Sequence, residues 1–208
     1  MIDAIGFDLD GTLWNSVAQV TRAYSLIRAR HGLPPVTEAQ IEGIMGKQFE
    51  GVAADLNPGL PEEESLALHR EECDFENQYL LEHPGTLYPG VTETLQALAK
   101  NYKLFLVSNC QDGYELPFLN LPGLEGLFCD RETAGRTGLS KAENIKLVCA
   151  RQGFHRPLYV GDTAGDMAAA REAGVPFVHA AYGFGTVPEG TPAIHSISEL
   201  IQYVKEID

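Results

Sequence analysis

From about residue 90 onward, short apolar runs alternate with amphipathic stretches, and this alternation restricts the fold more than any other feature of the sequence. The spacing predicts helices over 91–100, 141–152, 164–173 and 198–206, with strands over 102–108, 128–130, 158–161 and 175–180. Apolar strands separated by helices pair in parallel and are covered on their faces by those helices.

One strand lies far from the others in sequence. Residues 3–9 form a short apolar run in which Ile5, Phe7 and Leu9 alternate, and Gly11 follows as a breaker. Residues 16–84 contain no strand for it to pair with. Val17, Val20, Tyr24 and Ile27 recur at helical spacing until Gly32-Leu33-Pro34-Pro35, and Thr37 with Gln40 has the spacing of a capping box. A long acidic helical stretch over 62–83 stops at Pro84-Gly85, with Leu66, His69, Cys73 and Leu80 as candidates for its inner face. The N-terminal strand therefore belongs with the second half of the chain. The expected fold is α/β: a doubly wound, parallel-sheet, Rossmann-like core of residues 1–15 and 85–208, carrying a small α-helical cap inserted at 16–84.

The 208 residues suffice to bury a substantial core without staples. Cys73, Cys110, Cys129 and Cys149 are far apart and form no C-x-x-C pair, which predicts buried or half-buried free thiols rather than a zinc site or a disulfide framework. No apolar run approaches the roughly 18 residues of a membrane span, and the first residues lack the features of a secretory signal, so a soluble, cytoplasmic protein is expected. The formal net charge of −14 repels nucleic acid and anionic membranes. A small phosphorylated molecule would be repelled as well, so a phosphate site in this chain needs a metal or local cations.

Ligands of open parallel sheets bind beyond the carboxyl ends of the strands. There the sequence places Asp8-Leu9-Asp10-Gly11-Thr12 after the first strand, Ser108-Asn109 after the second, and Gly161-Asp162-Thr163-Ala164-Gly165-Asp166 after the fourth. Lys141 opens a helix between the last two. Carboxylates crowded on one edge repel unless a divalent cation holds them, and hard oxygen ligands select Mg²⁺. Such a cluster becomes an anion site, to which Lys141, the Ser108 hydroxyl and the N–H groups near Leu9 to Gly11 add donors.

These residues resemble the four motifs of the haloacid dehalogenase superfamily of phosphohydrolases: Asp8-Leu9-Asp10-Gly11-Thr12-Leu13, Ser108-Asn109, Lys141, and Gly161-Asp162 with Asp166. The insertion at 16–84 and Leu87-Tyr88-Pro89-Gly90-Val91 resemble the cap and the re-entry into the core of its phosphoglycolate phosphatase and β-phosphoglucomutase branch. The resemblance implies that Asp8 is the nucleophile and a Mg²⁺ ligand. Asp10 would bind the metal through its backbone carbonyl and use its carboxyl as acid and base. By the same resemblance Asp162 is a metal ligand, Asp166 acts through a water or by orienting Asp162, and Ser108, Asn109 and Lys141 hold the phosphoryl group. Lys141 lacks the proline that often follows the motif lysine, and Lys146 is its rival.

A phosphatase acting through an aspartyl-phosphate on Asp8 is the expectation. A phosphomutase of the β-phosphoglucomutase type would use the same residues, and a receiver-like phospho-aspartate binding module is the alternative from another class. Lys47 could point into the active site or into solvent, and Trp14 could wall the pocket or pack between core and cap. The six histidines show no ligand spacing and are expected at the surface or as caps.

Overall fold

The computed structural model describes residues 2–207. In chain order the elements are β1 (Ala4–Phe7), β2 (Trp14–Asn15), α1 (Val17–Arg30), α2 (Glu38–Glu42), α3 (Phe49–Leu56), α4 (Glu62–Glu82), β3 (Thr86–Leu87), α5 (Val91–Leu98), β4 (Lys103–Ser108), α6 (Leu116–Leu119), β5 (Phe128–Thr133), α7 (Ala134–Thr137), α8 (Lys141–Gln152), β6 (Pro157–Gly161), α9 (Ala164–Ala173), β7 (Phe177–Ala180) and β8 (Ala193–Ile194). A 3₁₀ turn at Ile197–Glu199 then leads into α10 (Leu200–Ile207).

Six strands form one parallel sheet in the order β5-β4-β1-β6-β7-β8. The first strand of the chain is thus central, paired with β4 on one side and β6 on the other. Side chains alternate between faces with the period of a strand. Ile5, Phe7, Leu106 and Val160 pack with Val91 and Leu95 of α5 and Leu200 and Val204 of α10. Ala4, Phe105, Val107 and Tyr159 pack with Ala142 and Ile145 of α8 and Ala170 of α9. This is a doubly wound α/β core, with helices on both faces of a parallel sheet.

Several elements go beyond the sequence pattern. Strand β5 runs on through Arg131-Glu132-Thr133, whose polarity hides it; Glu132 is buried because the Arg151 guanidinium meets it at 2.7 Å. The two-residue strands β2 and β3 pair antiparallel at the two ends of the helical insert, too short to show a periodicity. The Thr37–Gln40 capping box forms, and further boxes, Ser140 with Glu143 and Thr163 with Asp166, open α8 and α9. Leu66 is only half-buried, and Leu68 faces inward with His69, Cys73 and Leu80.

Helices α1 to α4 pack mainly on one another, around a buried ion pair of Arg28 and Glu72 at 3.2 Å. Arg28 also donates to Asn57 Oδ1 and to the Pro34 carbonyl. Among the described residues no helix is long and apolar enough to cross a membrane. All four cysteines are free; Cys129 is exposed, contrary to the expectation of buried or half-buried thiols, because it stands near the start of the edge strand β5.

Candidate active site

The switch in winding direction puts the ends of β4, β1 and β6 side by side, and each carries one of the motifs. Asp8 continues β1 by one ladder bond to the Val160 carbonyl, at 2.9 Å, and is buried. The chain then turns tightly, with the Leu13 N–H returning to the Leu9 carbonyl at 2.8 Å. Gly11 makes the turn possible: its φ is +78°, and a Cβ there would lie 2.2 Å from Asp162 Oδ2.

Carboxylate oxygens of Asp8, Asp162 and Asp166 lie within 4.8 Å of one another, all three residues buried. Lys141, also buried, places Nζ 2.9 Å from Asp8 Oδ1 and 2.5 Å from Asp166 Oδ1. The contact with Asp8 is a charge contact rather than an aligned hydrogen bond, since Asp8 Oδ1 has no hydrogen-bond partner. Lys146, the rival cation, is exposed. The N-terminal capping of α8 by Ser140 fixes Lys141 as its first residue, facing the sheet edge. Asp166 serves two neighbours: its Oδ2 accepts the N–H and hydroxyl of Thr163, and its Oδ1 takes Lys141.

Three buried carboxylates against one ammonium leave the cluster underneutralised. Burial, with Asp166 and Asp162 adding to it against the pull of Lys141, raises Asp8 well above the usual carboxylate range. Burial and Asp166 push Asp162 up to about 6, while backbone N–H groups of Phe184 and Gly185 work the other way. Burial opposes the charge of Lys141, yet Asp166 and Asp8 raise its pKa well above the ordinary lysine value. An all-carboxylate donor set with excess negative charge fits a hard divalent cation.

Asp10 is not part of that cluster. Its Oδ1 accepts from Trp14 Nε1 at 2.9 Å, Ser16 Oγ at 2.7 Å and Tyr114 OH at 2.7 Å. Burial raises its pKa, and those three hydrogen bonds oppose the rise. Trp14 is fully buried against Tyr114 and Phe118, so it packs and orients Asp10 rather than walling the pocket.

A cavity of about 550 Å³ lies between the sheet edge and the helical insert. Asp8, Asp10, Ser108 and Asn109 line it from the core, and Lys47, Phe49, His69, Arg70 and Glu76 from the insert. Lys47 is on this wall but pairs with Asp55 at 2.5 Å, both half-exposed. Asn109 donates one N–H of its amide to the Gly46 carbonyl, at 2.8 Å.

The family model described as haloacid dehalogenase-like hydrolase matches residues 5–180, which includes every motif above. The chain belongs to the haloacid dehalogenase-like hydrolase family. It is an enzyme, a phosphoric monoester hydrolase of that family. Among its relatives, a phosphoglycolate phosphatase of Chromobacterium violaceum is 27% identical, the match covering 98% of this chain and 97% of that one. An N-acetylmuramic acid 6-phosphate phosphatase of Pseudomonas aeruginosa is 28% identical over 99% and 93%. A crystal structure from Haemophilus somnus, described as a predicted phosphoglycolate phosphatase, superposes with a TM-score of 0.85 at 26% identity, covering 98% of each chain.

Within this hydrolase, several site residues escape motif reading. Phe184 donates its backbone N–H to Asp162 Oδ2 at 2.8 Å, and neighbouring Gly183 has room for no Cβ, which would lie 2.3 Å from the Gly11 carbonyl. The Gly-Phe-Gly run just after the last long strand was the available signal. Tyr114 gives no such signal. Two histidines are buried: His179, expected at the surface or as a cap, beside the Asp162 carbonyl at 3.0 Å, and His69, which helical spacing put among the inner-face candidates, between the rings of Tyr24 and Phe49. Each has a protein partner that meets its polar edge, which removes the cost that would otherwise keep it at the surface.

Proposed function

We propose that this hydrolase is a Mg²⁺-dependent phosphatase that removes phosphate from a small phosphorylated metabolite through an aspartyl-phosphate on Asp8. The observation that carries the reading is the underneutralised group of Asp8, Asp162 and Asp166 with Lys141 at the sheet's switch point, where Asp8 lines the cavity.

Asp8, Asp162 and the Asp10 backbone carbonyl would hold Mg²⁺, with Asp166 acting through a water or by orienting Asp162. Bound there, the ion neutralises the carboxylates and the charge spread over the transferring phosphoryl group. Lys141 holds Asp8 in place and supplies a fixed positive charge beside it. Asp8 attacks phosphorus as the bond to the leaving oxygen breaks, and the Asp10 carboxyl gives that oxygen its proton. In the second step Asp10 takes a proton from water as the water oxygen attacks phosphorus and frees Asp8. Ser108, buried at the end of β4, donates to a phosphoryl oxygen. Residues 16–84 act as a cap that excludes water while Asp8 is being phosphorylated.

The named relatives are phosphatases, one for phosphoglycolate and one for N-acetylmuramic acid 6-phosphate, which supports hydrolysis over return of the phosphoryl group to a sugar. Phosphate release over a panel of phosphorylated metabolites, with product analysis, is the test. We expect free phosphate, loss of activity on chelation, and a loss of roughly 10⁴-fold or more in Asp8→Asn. Activity persisting in that variant, or in excess chelator, would overturn the mechanism; an isomerised phosphosugar without free phosphate would make the chain a mutase.

A further inference from the structure

We infer that Tyr114 is a positioning residue for proton transfer: with Ser16 and Trp14 it clamps one oxygen of Asp10 so that the other faces the cavity. The inference rests on the reading of Asp10 as the acid and base.

All three donors converge on the same atom. Asp10 Oδ1 takes the Trp14 indole N–H, the Ser16 hydroxyl and the Tyr114 hydroxyl, while none of the described residues hydrogen-bonds Oδ2. The two hydroxyls are themselves 2.7 Å apart. A carboxylate oxygen offers two lone pairs, so the indole fills one, and the paired hydroxyls share the other through a short chain of hydrogen bonds. Oδ1 is thereby saturated. Oδ2 remains, on a side chain that lines the cavity.

Trp14 and Ser16 follow Asp10 closely in sequence and come with its own turn. Tyr114 arrives from the loop after β4, more than a hundred residues away. That loop is anchored to the helical insert: Gln111 donates to Glu76 at 2.7 Å and to Asn77 at 3.1 Å, and Asn77 donates to the Asp112 carbonyl at 2.8 Å. Tyr114 is also held by edge-on packing against Trp14, at 5.7 Å between ring centres. The hydroxyl is therefore fixed from both sides, and the carboxyl it holds cannot rotate without losing its partners.

In the first step the proton leaves Asp10 Oδ2 for the leaving oxygen as that oxygen parts from phosphorus. A poor leaving group needs this proton and a good one does not. The test compares p-nitrophenyl phosphate, whose leaving group is acidic, with the alkyl phosphate turned over fastest in the metabolite panel. Asp10 also serves the second step, which the two esters share, so the comparison is made in kcat/KM, which reports the first step alone. Tyr114→Phe keeps the ring and should lower kcat/KM for the alkyl ester about 10-fold, and the double variant with Ser16→Ala about 100-fold. Both should change kcat/KM for p-nitrophenyl phosphate less than about 3-fold. Equal losses of kcat/KM on the two esters, or no loss on the alkyl ester, would overturn the role of Tyr114. Should Tyr114→Phe fail to fold, Ser16→Ala alone must show the same split. Asp10→Asn separates the two levels: if its kcat/KM falls equally for both esters, the acid role of Asp10 fails, whereas a split in Asp10→Asn without one in Tyr114→Phe rejects only the present inference.

Discussion

The sheet edge and the helical insert both bury charge, but they balance it differently. In the insert, Arg28 meets Glu72 at 3.2 Å and spends further N–H groups on Asn57 and Pro34, so this cation and anion are matched inside the protein, whereas Glu76 nearby is held by hydrogen bonds from Tyr24 and Gln111. At the sheet edge, Asp8, Asp162 and Asp166 share one Lys141. Removing one partner of a matched buried pair costs stability. An unmatched cluster keeps its repulsion until a proton or a further cation relieves it, and the proposed Mg²⁺ would do so at the sheet edge.

The sharpest way to break this comparison is to remove Lys141 from the edge. Lys141→Ala should lower kcat by roughly 10²-fold or more, since it takes away the fixed charge beside Asp8. The apo protein should also melt at lower temperature, and Mg²⁺ should restore a larger part of the lost Tm than it adds to the wild type. A normal kcat in that variant would show that Lys141 is only structural.

In the insert the expected pattern is the reverse. Arg28→Met leaves Glu72 buried with only the His69 ring beside it and should cost about 3 kcal/mol of stability, while kcat of the folded fraction changes less than about 2-fold. Adding Glu72→Leu should recover much of the loss. Denaturant titration and initial rates on the same preparations decide the matter, and a fall in kcat without loss of stability would count against it.

The smallest and finest test uses pH. Glu76, buried in the insert, is raised to about 8, by burial first, with the charges of Asp10 and Glu72 adding to it. Its folded-state pKa exceeds the unfolded value, so the native state holds the proton longer, and stability falls as pH rises from about 4.5 toward 8. Asp162, raised to about 6, contributes in the same direction over a lower range. For the metal-free protein Tm should therefore decline between about pH 4 and 8. Glu76→Gln should flatten the upper part of that decline and Mg²⁺ the part belonging to the sheet edge. If Mg²⁺ flattened nothing, the carboxylate cluster would not be the ion's site.

Much of this was legible in the chain because it depends on neighbours in sequence. Helices α8 and α9 begin and end where periodicity and their caps put them, and Lys141 stands at the start of one because Ser140 and Glu143 close a box around it. The carboxylates lie at strand ends because apolar runs stop there. Glu76 was harder: a helix position reports a face, and whether that face meets solvent or a cavity depends on which element packs over it. Asn109 kept its place after β4, but its hydrogen bond to Gly46 belongs to a contact between core and insert.

By itself the sequence determined the alternation of strands and helices, and with it the α/β class of the fold, because hydrophobic period, caps and turns act over a few residues. The tertiary structure alone decided that β1 is central, that Asp10 is gripped by Tyr114, that Phe184 holds Asp162, and that β2 and β3 tie the ends of the insert together. Those contacts join segments separated by about 20 to more than 100 residues, and no local preference encodes them; they exist only once burial has chosen which surfaces meet.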